Sequence, residues 1–188
     1  MDWCPSAIPE PRSWSEMDVY QAIRERRSVR RYRPEPVPEE KLKRVLNAMR
    51  LAPSGKNAQP WRFIVVRDAA VREKLVDACN GQQFVGEAPV VIVGCGWERK
   101  AYPRMGGYWN SLPVDVAIAL DHLTLAAAAE GLGTCWIGSF KEAAVKEILG
   151  IPDQVQVIAL MPLGYPAVEP EAKPRKRLEE VVAFDGWS

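Results

Sequence analysis

The stretch AIRERRSVRRYR, residues 22–33, carries six arginines within ten positions, although the whole chain has a net charge of only +1. Its first residues continue a helical pattern, whereas Val29 and Tyr32 are β-formers, so Ser28–Tyr32 is predicted to be extended. A helix end followed by an extended Arg-Ser-x-Arg can hold two guanidinium groups and a hydroxyl around one anion, because the guanidinium fork pairs bidentately with phosphate or carboxylate. A solvated basic helix end, favoured by the helix macrodipole, is the alternative interpretation.

The helix that leads into this stretch is predicted from Met17, Tyr20 and Ile23, which recur at the spacing of one apolar helical face. Ser13 or Ser15 is its candidate N-cap.

Composition favours a single domain with a sizeable core, since 47% of the 188 residues are hydrophobic. A nucleic-acid-binding surface is disfavoured, because it is usually basic over a whole domain and here 24 acidic residues nearly balance 25 basic ones. No apolar run reaches about 20 residues and no leader pattern is present, so a cytoplasmic protein without a membrane partner is expected. Residues 1–15 are predicted to be an irregular arm, and residues 16–188 the domain.

Residues that usually bind metals or act as nucleophiles are sparse. The four cysteines are far apart and the chain has one histidine, so neither a metal site nor a disulfide framework is predicted. These residues are Cys4, Cys79, Cys95, Cys135 and His122. A lone histidine on an apolar helix is more often a core or interface residue than a catalyst, so we assign no catalytic side chain.

Apolar periodicity and turn residues divide the rest of the chain into helices and strands. Helices are predicted over 38–52, 69–79, 113–130 and 141–149, and strands over 62–67, 89–95, 134–137 and 154–163. The helix over 113–130 is apolar nearly all round and rich in alanine. It is therefore expected at the centre of the fold and at a contact between two copies of the chain.

Two stretches outside these elements concentrate groups suited to ligand binding. Residues 53–61, PSGKNAQPW, hold Ser54, Asn57 and Gln59, whose donor and acceptor groups suit the imide and carbonyl edges of a heteroaromatic ring. An ordinary polar turn is the alternative. Residues 98–112 are polar, glycine-containing and aromatic, and they form either a mobile segment over a site or a plain surface loop.

Five motifs in order resemble the FMN-dependent nitroreductase superfamily. They are RRSVR-x-Y at residues 26–32, APSGKNAQPW at 52–61, GLGTCWIG at 131–138, LGYP at 163–166 and KPRK-x-LEEVV at 173–182. Each motif is weak alone, but five in register are specific. The chain has no G-x-G-x-x-G pattern after a strand, which disfavours a Rossmann dinucleotide fold.

The resemblance implies an α+β fold of three α/β/α layers with a mostly antiparallel central sheet. It also implies an obligate homodimer with an FMN in each of two sites at the interface, and it indicates which residues bind that cofactor. The phosphate, the ribityl chain and the N1/O2 side of the ring would be contacted by Arg26, Ser28 and Arg30, with Arg27 between them; the phosphate site would be completed by Arg175, with Lys173 beside it. The isoalloxazine would be met by Pro53, Ser54 and Asn57, partly from the other subunit. The ring near N5 and O4 would be lined by Trp136, Ile137 and Gly138.

In the enzymes that the chain resembles, a hydride from NADH or NADPH passes through flavin N5 to a second substrate on the same ring face. Arg30 is the first candidate for the positive group near N1/O2. A nitroaromatic, a quinone or a similar flat electron acceptor is therefore expected as the second substrate. A reductive dehalogenase or other flavin chemistry of the same superfamily is the alternative, and a non-catalytic flavin-binding protein is a further one.

Overall fold

The structure is a computed structural model that describes residues 17–187, so the irregular arm predicted for residues 1–15 lies outside the described residues. The helices are α1 (Val19–Glu25), α2 (Glu39–Arg50), α3 (Ala69–Ala78), α4 (Phe84–Glu87), α5 (Leu112–Ala129) and α6 (Glu142–Leu149). The strands are β1 (Trp61–Val66), β2 (Val90–Gly96), β3 (Gly133–Thr134) and β4 (Gln156–Gly164).

Most of these elements lie within a few residues of their predicted bounds. Two differ from the sequence-based expectation. The four-residue α4 occupies a stretch predicted as loop, and the strand predicted over 134–137 is shortened to β3, followed by an isolated bridge between Ile137 and Leu160.

The four strands form one antiparallel sheet in the order β1-β2-β4-β3. β2 pairs with both β1 and β4, and all seven of its residues are buried. This burial explains its continuous apolar run, which is typical of a central strand covered on both faces. The predicted antiparallel sheet is therefore confirmed.

Helices cover both faces of the sheet. On one face, Ile92 of β2 packs in a cluster with residues of α2 and α5; on the other, Val91 and Val93 pack with residues of α3 and α6. Because successive strand residues point to opposite faces, β2 contributes to both layers of core. The predicted three-layer α/β/α arrangement is confirmed.

Helix α5 contacts α1, α2 and all four strands, as expected of a central helix. Eight of its 18 residues are buried. Among the described residues it is also the one helix long and apolar enough to cross a membrane, a property that it shares with core helices of soluble proteins.

Helix α1 differs from its prediction in its N-cap. Its N-cap is Asp18, whose carboxylate accepts a hydrogen bond of 2.8 Å from the Gln21 amide. Tyr20 and Ile23 of the predicted apolar face are 71% and 54% exposed, and Ala22 is the buried residue. The apolar face of α1 therefore lies on the surface of the single chain.

Candidate functional site

The arginine-rich stretch runs beside β3, at the end of the sheet. The Val29 amide donates a hydrogen bond of 2.8 Å to the carbonyl of Thr134, and Ser28 forms a parallel bridge with Thr134. Gly133 makes this approach possible, since a Cβ on it would lie 2.3 Å from Cγ2 of Val29. Residues 28–30 and 134–138, distant in sequence, thus form one continuous surface.

The chain that follows β4 holds the other side of this stretch. The Arg33 amide donates to the carbonyl of Tyr165, and the Ala167 amide donates to the carbonyl of Arg31, each over 2.9 Å. Tyr32, which belongs to the arginine-rich stretch, is buried, and its hydroxyl donates to the carbonyl of Val29 at 2.9 Å. Burial raises the pKa of Tyr32, so this hydroxyl stays protonated and acts as a structural donor.

The arginines of the stretch differ in what their side chains contact. Arg27 donates to the carbonyls of Arg24 and Arg26, the latter at 3.0 Å, and so closes the C-terminal end of α1. Within residues 17–187, the guanidinium groups of Arg26 and Arg30 have neither a hydrogen bond nor an ion pair. Two guanidinium groups on either side of Ser28 are thus left without a protein counter-charge.

A surface cleft of about 250 Å³ lies between α1, the end of α5 and β3. Arg26 and Arg27 line it on one side and Gly133 and Thr134 on another. Pro170 also lines it, so the C-terminal tail starts from this cleft.

The segment after β3 presents backbone donors. The Ile137 amide donates to the carbonyl of Leu160 at 2.9 Å, and Ile137 is buried. The amides of Trp136 and Gly138 on either side donate to no acceptor in the described part of the chain, and both residues are exposed. Because amides alternate in direction along extended chain, these two N–H groups point away from β4.

The polar loop, residues 53–61, lies at the other end of α5, near its first residues. Its turn Gly55–Asn57 is followed by a hydrogen bond of 2.9 Å from the Gln59 amide to Oγ of Ser54. Pro53 and Asn57 are exposed, and Ser54 is half-buried. No hydrogen bond or ion pair among the described residues joins this loop to the arginine-rich stretch, so the chain alone leaves the two apart.

The C-terminal tail carries a basic cluster, residues 173–177, whose residues are all exposed. Arg175 donates to the carbonyls of Lys173 and Pro174 at 3.2 Å each, and Lys173 forms an ion pair with Glu171. Lys173 stands three residues after Pro170 of the cleft, which is a reach of at most about 10 Å in extended chain.

The chain resembles known proteins along most of its length. The Nitroreductase family model matches residues 23–105 and 78–165. An NADH dehydrogenase of Thermus thermophilus is 38% identical, over 89% of this chain and 96% of that protein. The chain belongs to the nitroreductase family.

Two further similarities concern enzymes named for flavin chemistry. An FMN reductase of Bacillus subtilis that uses NAD(P)H is 31% identical, over 87% of this chain and 72% of that protein. The structure of an NADPH:FMN oxidoreductase from Vibrio harveyi, in complex with NAD+, has a TM-score of 0.81 and 29% identity, and the match covers 90% of this chain and 78% of that one.

Cys135 is a buried residue between Thr134 and Trp136 of the candidate site. Its side chain is 3% exposed, and burial raises its thiol pKa, opposed by the charge of Arg30 and a hydrogen bond with Ser28. The thiol is therefore a neighbour of Arg30 and Ser28 and not a nucleophile.

Sequence reasoning did not identify three residues that shape this site. Gly133 belongs to the motif GLGTCWIG, but the motif does not indicate that the approach of Val29 requires a glycine there. Asp115 accepts a hydrogen bond from the Gly55 amide of the polar loop, and Ser111 donates one to Asp115. Their only signal in the sequence was a carboxylate near the start of a largely apolar helix. Within residues 17–187 no group of three metal-ligating side chains is found.

Proposed function

We propose that this nitroreductase-family protein uses NADH or NADPH, through bound FMN, to reduce a nitroaromatic, a quinone or a similar flat electron acceptor. The chain is an NAD(P)H-dependent flavin oxidoreductase, and FMN is its cofactor. The observation that carries the proposal is that the Val29–Thr134 hydrogen bond joins two segments with unused donors. Among the described residues, the guanidinium groups of Arg26 and Arg30 have no partner on one segment, and the amides of Trp136 and Gly138 have no acceptor on the other.

The donor set at the arginine-rich stretch fits a phosphate monoester. Within residues 17–187, Arg26 and Arg30 have no carboxylate partner, and the Ser28 hydroxyl lies between them in sequence. Arg26 is therefore available for the phosphate, and Arg30 for the ring side of the same cofactor. Glu25 also lines the cleft, where its carboxylate accepts a hydrogen bond of 2.9 Å from Gln21. We assign Lys173 and Arg175 to the same phosphate, because the tail that bears them starts from this cleft.

The exposed amides of Trp136 and Gly138 fit the polar edge of a flavin ring. Two N–H groups on an otherwise fixed segment can donate to ring nitrogen and carbonyl oxygen without reorganising. Ile137 holds the segment to the sheet through its hydrogen bonds with Leu160. We assign Pro53, Ser54 and Asn57 to the ring as well, contributed partly by a second copy of the chain.

With FMN bound, its ring supplies the hydride-transfer chemistry between NAD(P)H and the acceptor. The protein's part is to bind and orient. Arg30 is assigned to the N1/O2 side of the ring, where a fixed positive charge favours negative charge that develops on reduction. No side chain of this site is required to act as acid, base or nucleophile.

We also propose that the protein acts as a homodimer in the cytoplasm, with the FMN sites at the interface. The exposed apolar face of α1, with Tyr20 and Ile23, supports a subunit contact. The tail supports it too, since Phe184 is 84% exposed and Trp187 is fully exposed in the single chain.

The first experiment is the visible spectrum of purified protein, before and after NADH or NADPH is added anaerobically. Flavin bands that bleach, and that recover when a nitroaromatic or quinone is added, are expected. A halotyrosine in the same assay tests the dehalogenase alternative. Absence of flavin after incubation with FMN would overturn the proposal, and so would flavin that neither pyridine nucleotide reduces.

A further inference from the structure

A buried carboxylate at the start of α5 binds the polar loop. Asp115 is 2% exposed, and its Oδ1 accepts a hydrogen bond of 2.9 Å from the Gly55 amide. Its Oδ2 accepts a hydrogen bond of 2.7 Å from the hydroxyl of Ser111, which is also buried. Both oxygens of the carboxylate are thus engaged inside the protein.

The same serine binds a second segment. Oγ of Ser111 accepts a hydrogen bond of 3.0 Å from the Tyr102 amide, and the Ser111 amide donates to the Tyr102 carbonyl at 2.9 Å. Residues 98–112, the segment that sequence analysis identified as a possible cover, are thereby joined to the loop through one carboxylate.

The loop and this segment are also in close van der Waals contact. A Cβ on Gly55 would lie 2.9 Å from Cβ of Tyr102 and 3.2 Å from Oγ of Ser111, so only glycine fits there. The ammonium group of Lys56 lies 5.1 Å from the centre of the Tyr102 ring, within cation–π range.

The loop itself is in a conformation that needs external support. Lys56, Asn57 and Gln59 have φ angles of 54°, 55° and 46°. The left-handed region is unfavourable for residues other than glycine, and such conformations persist only when surrounding contacts determine them. The hydrogen bond from Gly55 to Asp115 is a contact of this kind, immediately before the first of these residues.

We propose that Asp115 is a positioning residue for the flavin site: it fixes the loop that presents Ser54 and Asn57 and, through Ser111, the segment 98–112 beside it. The proposal rests on the proposed function, since Ser54 and Asn57 are assigned there to the flavin. Asp115 itself is buried, and both of its oxygens accept hydrogen bonds from the protein. Its effect on FMN is exerted through the Gly55 amide.

Hydrogen exchange of the FMN-free protein, followed by mass spectrometry, tests the structural half of the proposal. Asp115→Ala is expected to speed exchange in peptides covering both 53–60 and 98–111, because both hydrogen-bond chains lose their acceptor. Ser111→Ala should speed exchange in 98–111 with a smaller effect on 53–60, since the Gly55 bond to Asp115 remains. Unchanged exchange in 53–60 of Asp115→Ala would overturn the proposal.

FMN affinity, measured by quenching of flavin fluorescence, tests the functional half. Asp115→Ala is expected to raise the FMN dissociation constant by about tenfold or more, the loss expected for a buried hydrogen bond. Asp115→Asn should restore most of the affinity, because its side-chain oxygen can accept from Gly55 and its amide can donate to Ser111.

Val145→Ala is the matched control. Val145 is fully buried on the opposite face of the sheet, so its truncation lowers stability without touching the loop. If Asp115→Ala weakened FMN binding no more than Val145→Ala does, the positioning role would be wrong. Wild-type protein that binds no FMN would instead overturn the proposed function, and the exchange experiment would still decide whether Asp115 holds the loop.

Discussion

The Val29 amide and the Thr134 carbonyl are joined by a hydrogen bond of 2.8 Å, and this contact assembles the candidate phosphate site with the candidate ring-edge site. Ser28 and Arg30 flank the first residue, and Trp136 and Gly138 follow the second. The position of the candidate phosphate site relative to the candidate ring-edge site, the two halves of the flavin site, therefore depends on how closely β3 can approach the arginine-rich stretch.

Replacement of Gly133 is expected to separate these halves. In Gly133→Ala, the new methyl group would lie 2.3 Å from Cγ2 of Val29, a distance that neither side chain can absorb without backbone movement. We expect a loss of about 1–3 kcal/mol in the free energy of unfolding, measured by urea denaturation, together with weaker FMN binding. Gly186→Ala is the control, since a Cβ there meets nothing within 4 Å. Equal stability of the two variants would contradict the close approach.

Removal of a phosphate-binding arginine should release FMN. In Arg26→Ala and Arg175→Ala, we expect the FMN dissociation constant to rise by roughly 10- to 100-fold, because a hydrogen bond to a charged group contributes about 1.5–3 kcal/mol. Arg67→Ala is the matched control, since Arg67 is an exposed arginine paired with Glu39 at 2.7 Å on another part of the surface. Stoichiometric flavin in both variants as purified would remove the assignment of the two basic clusters.

The helices and long strands could be predicted from the sequence because apolar periodicity reports which residues share a face. Periodicity does not report what that face meets, and α1 shows the difference. Tyr20 and Ile23 do share a face, yet it lies on the surface of the chain.

The candidate site was less accessible to sequence reasoning than the fold. The bond between Val29 and Thr134 joins segments that are far apart in the chain, and no local pattern encodes it. The family resemblance indicated that the two segments lie close together, because it assigns both to the same FMN. It did not supply the contact between Asp115 and Gly55, because a single carboxylate near the start of an apolar helix is as consistent with a solvent-facing residue as with a buried acceptor.

Dilution should not yield a flavin-containing monomer. If Ser54 and Asn57 reach the ring of the partner's FMN, the site is incomplete in one chain and FMN binding is linked to association. Sizing with light scattering, over a range of protein concentrations and with absorbance at the flavin band, checks this. Flavin that elutes with a species of one chain would contradict an interface site.

An ion pair at the end of α5 should make stability depend on acid pH. Glu130 accepts two hydrogen bonds from Arg44, at 2.6 and 2.7 Å, and this lowers the pKa of the Glu130 carboxyl below its ordinary value of 4.5. The stabilisation is therefore complete above pH 4.5 and is lost as the pH falls through the lowered value. A double-mutant cycle of Glu130→Gln and Arg44→Gln should give a coupling of about 1 kcal/mol at neutral pH. Coupling that persists unchanged near pH 2 would contradict this assignment.

Two cysteines should resist alkylation in the native protein. Cys79 and Cys95 are 0% and 2% exposed, and burial raises their thiol pKa to about 11 and about 12. The thiolate is the reactive form, so at about pH 8.5, where a free cysteine is half ionised, both should react slowly with iodoacetamide. Peptide mapping of native and urea-unfolded protein measures the difference. Rapid modification of either residue in the native state, at a rate close to that of the unfolded chain, would mean that the sheet face beneath α3 and α6 opens far more often than its packing implies.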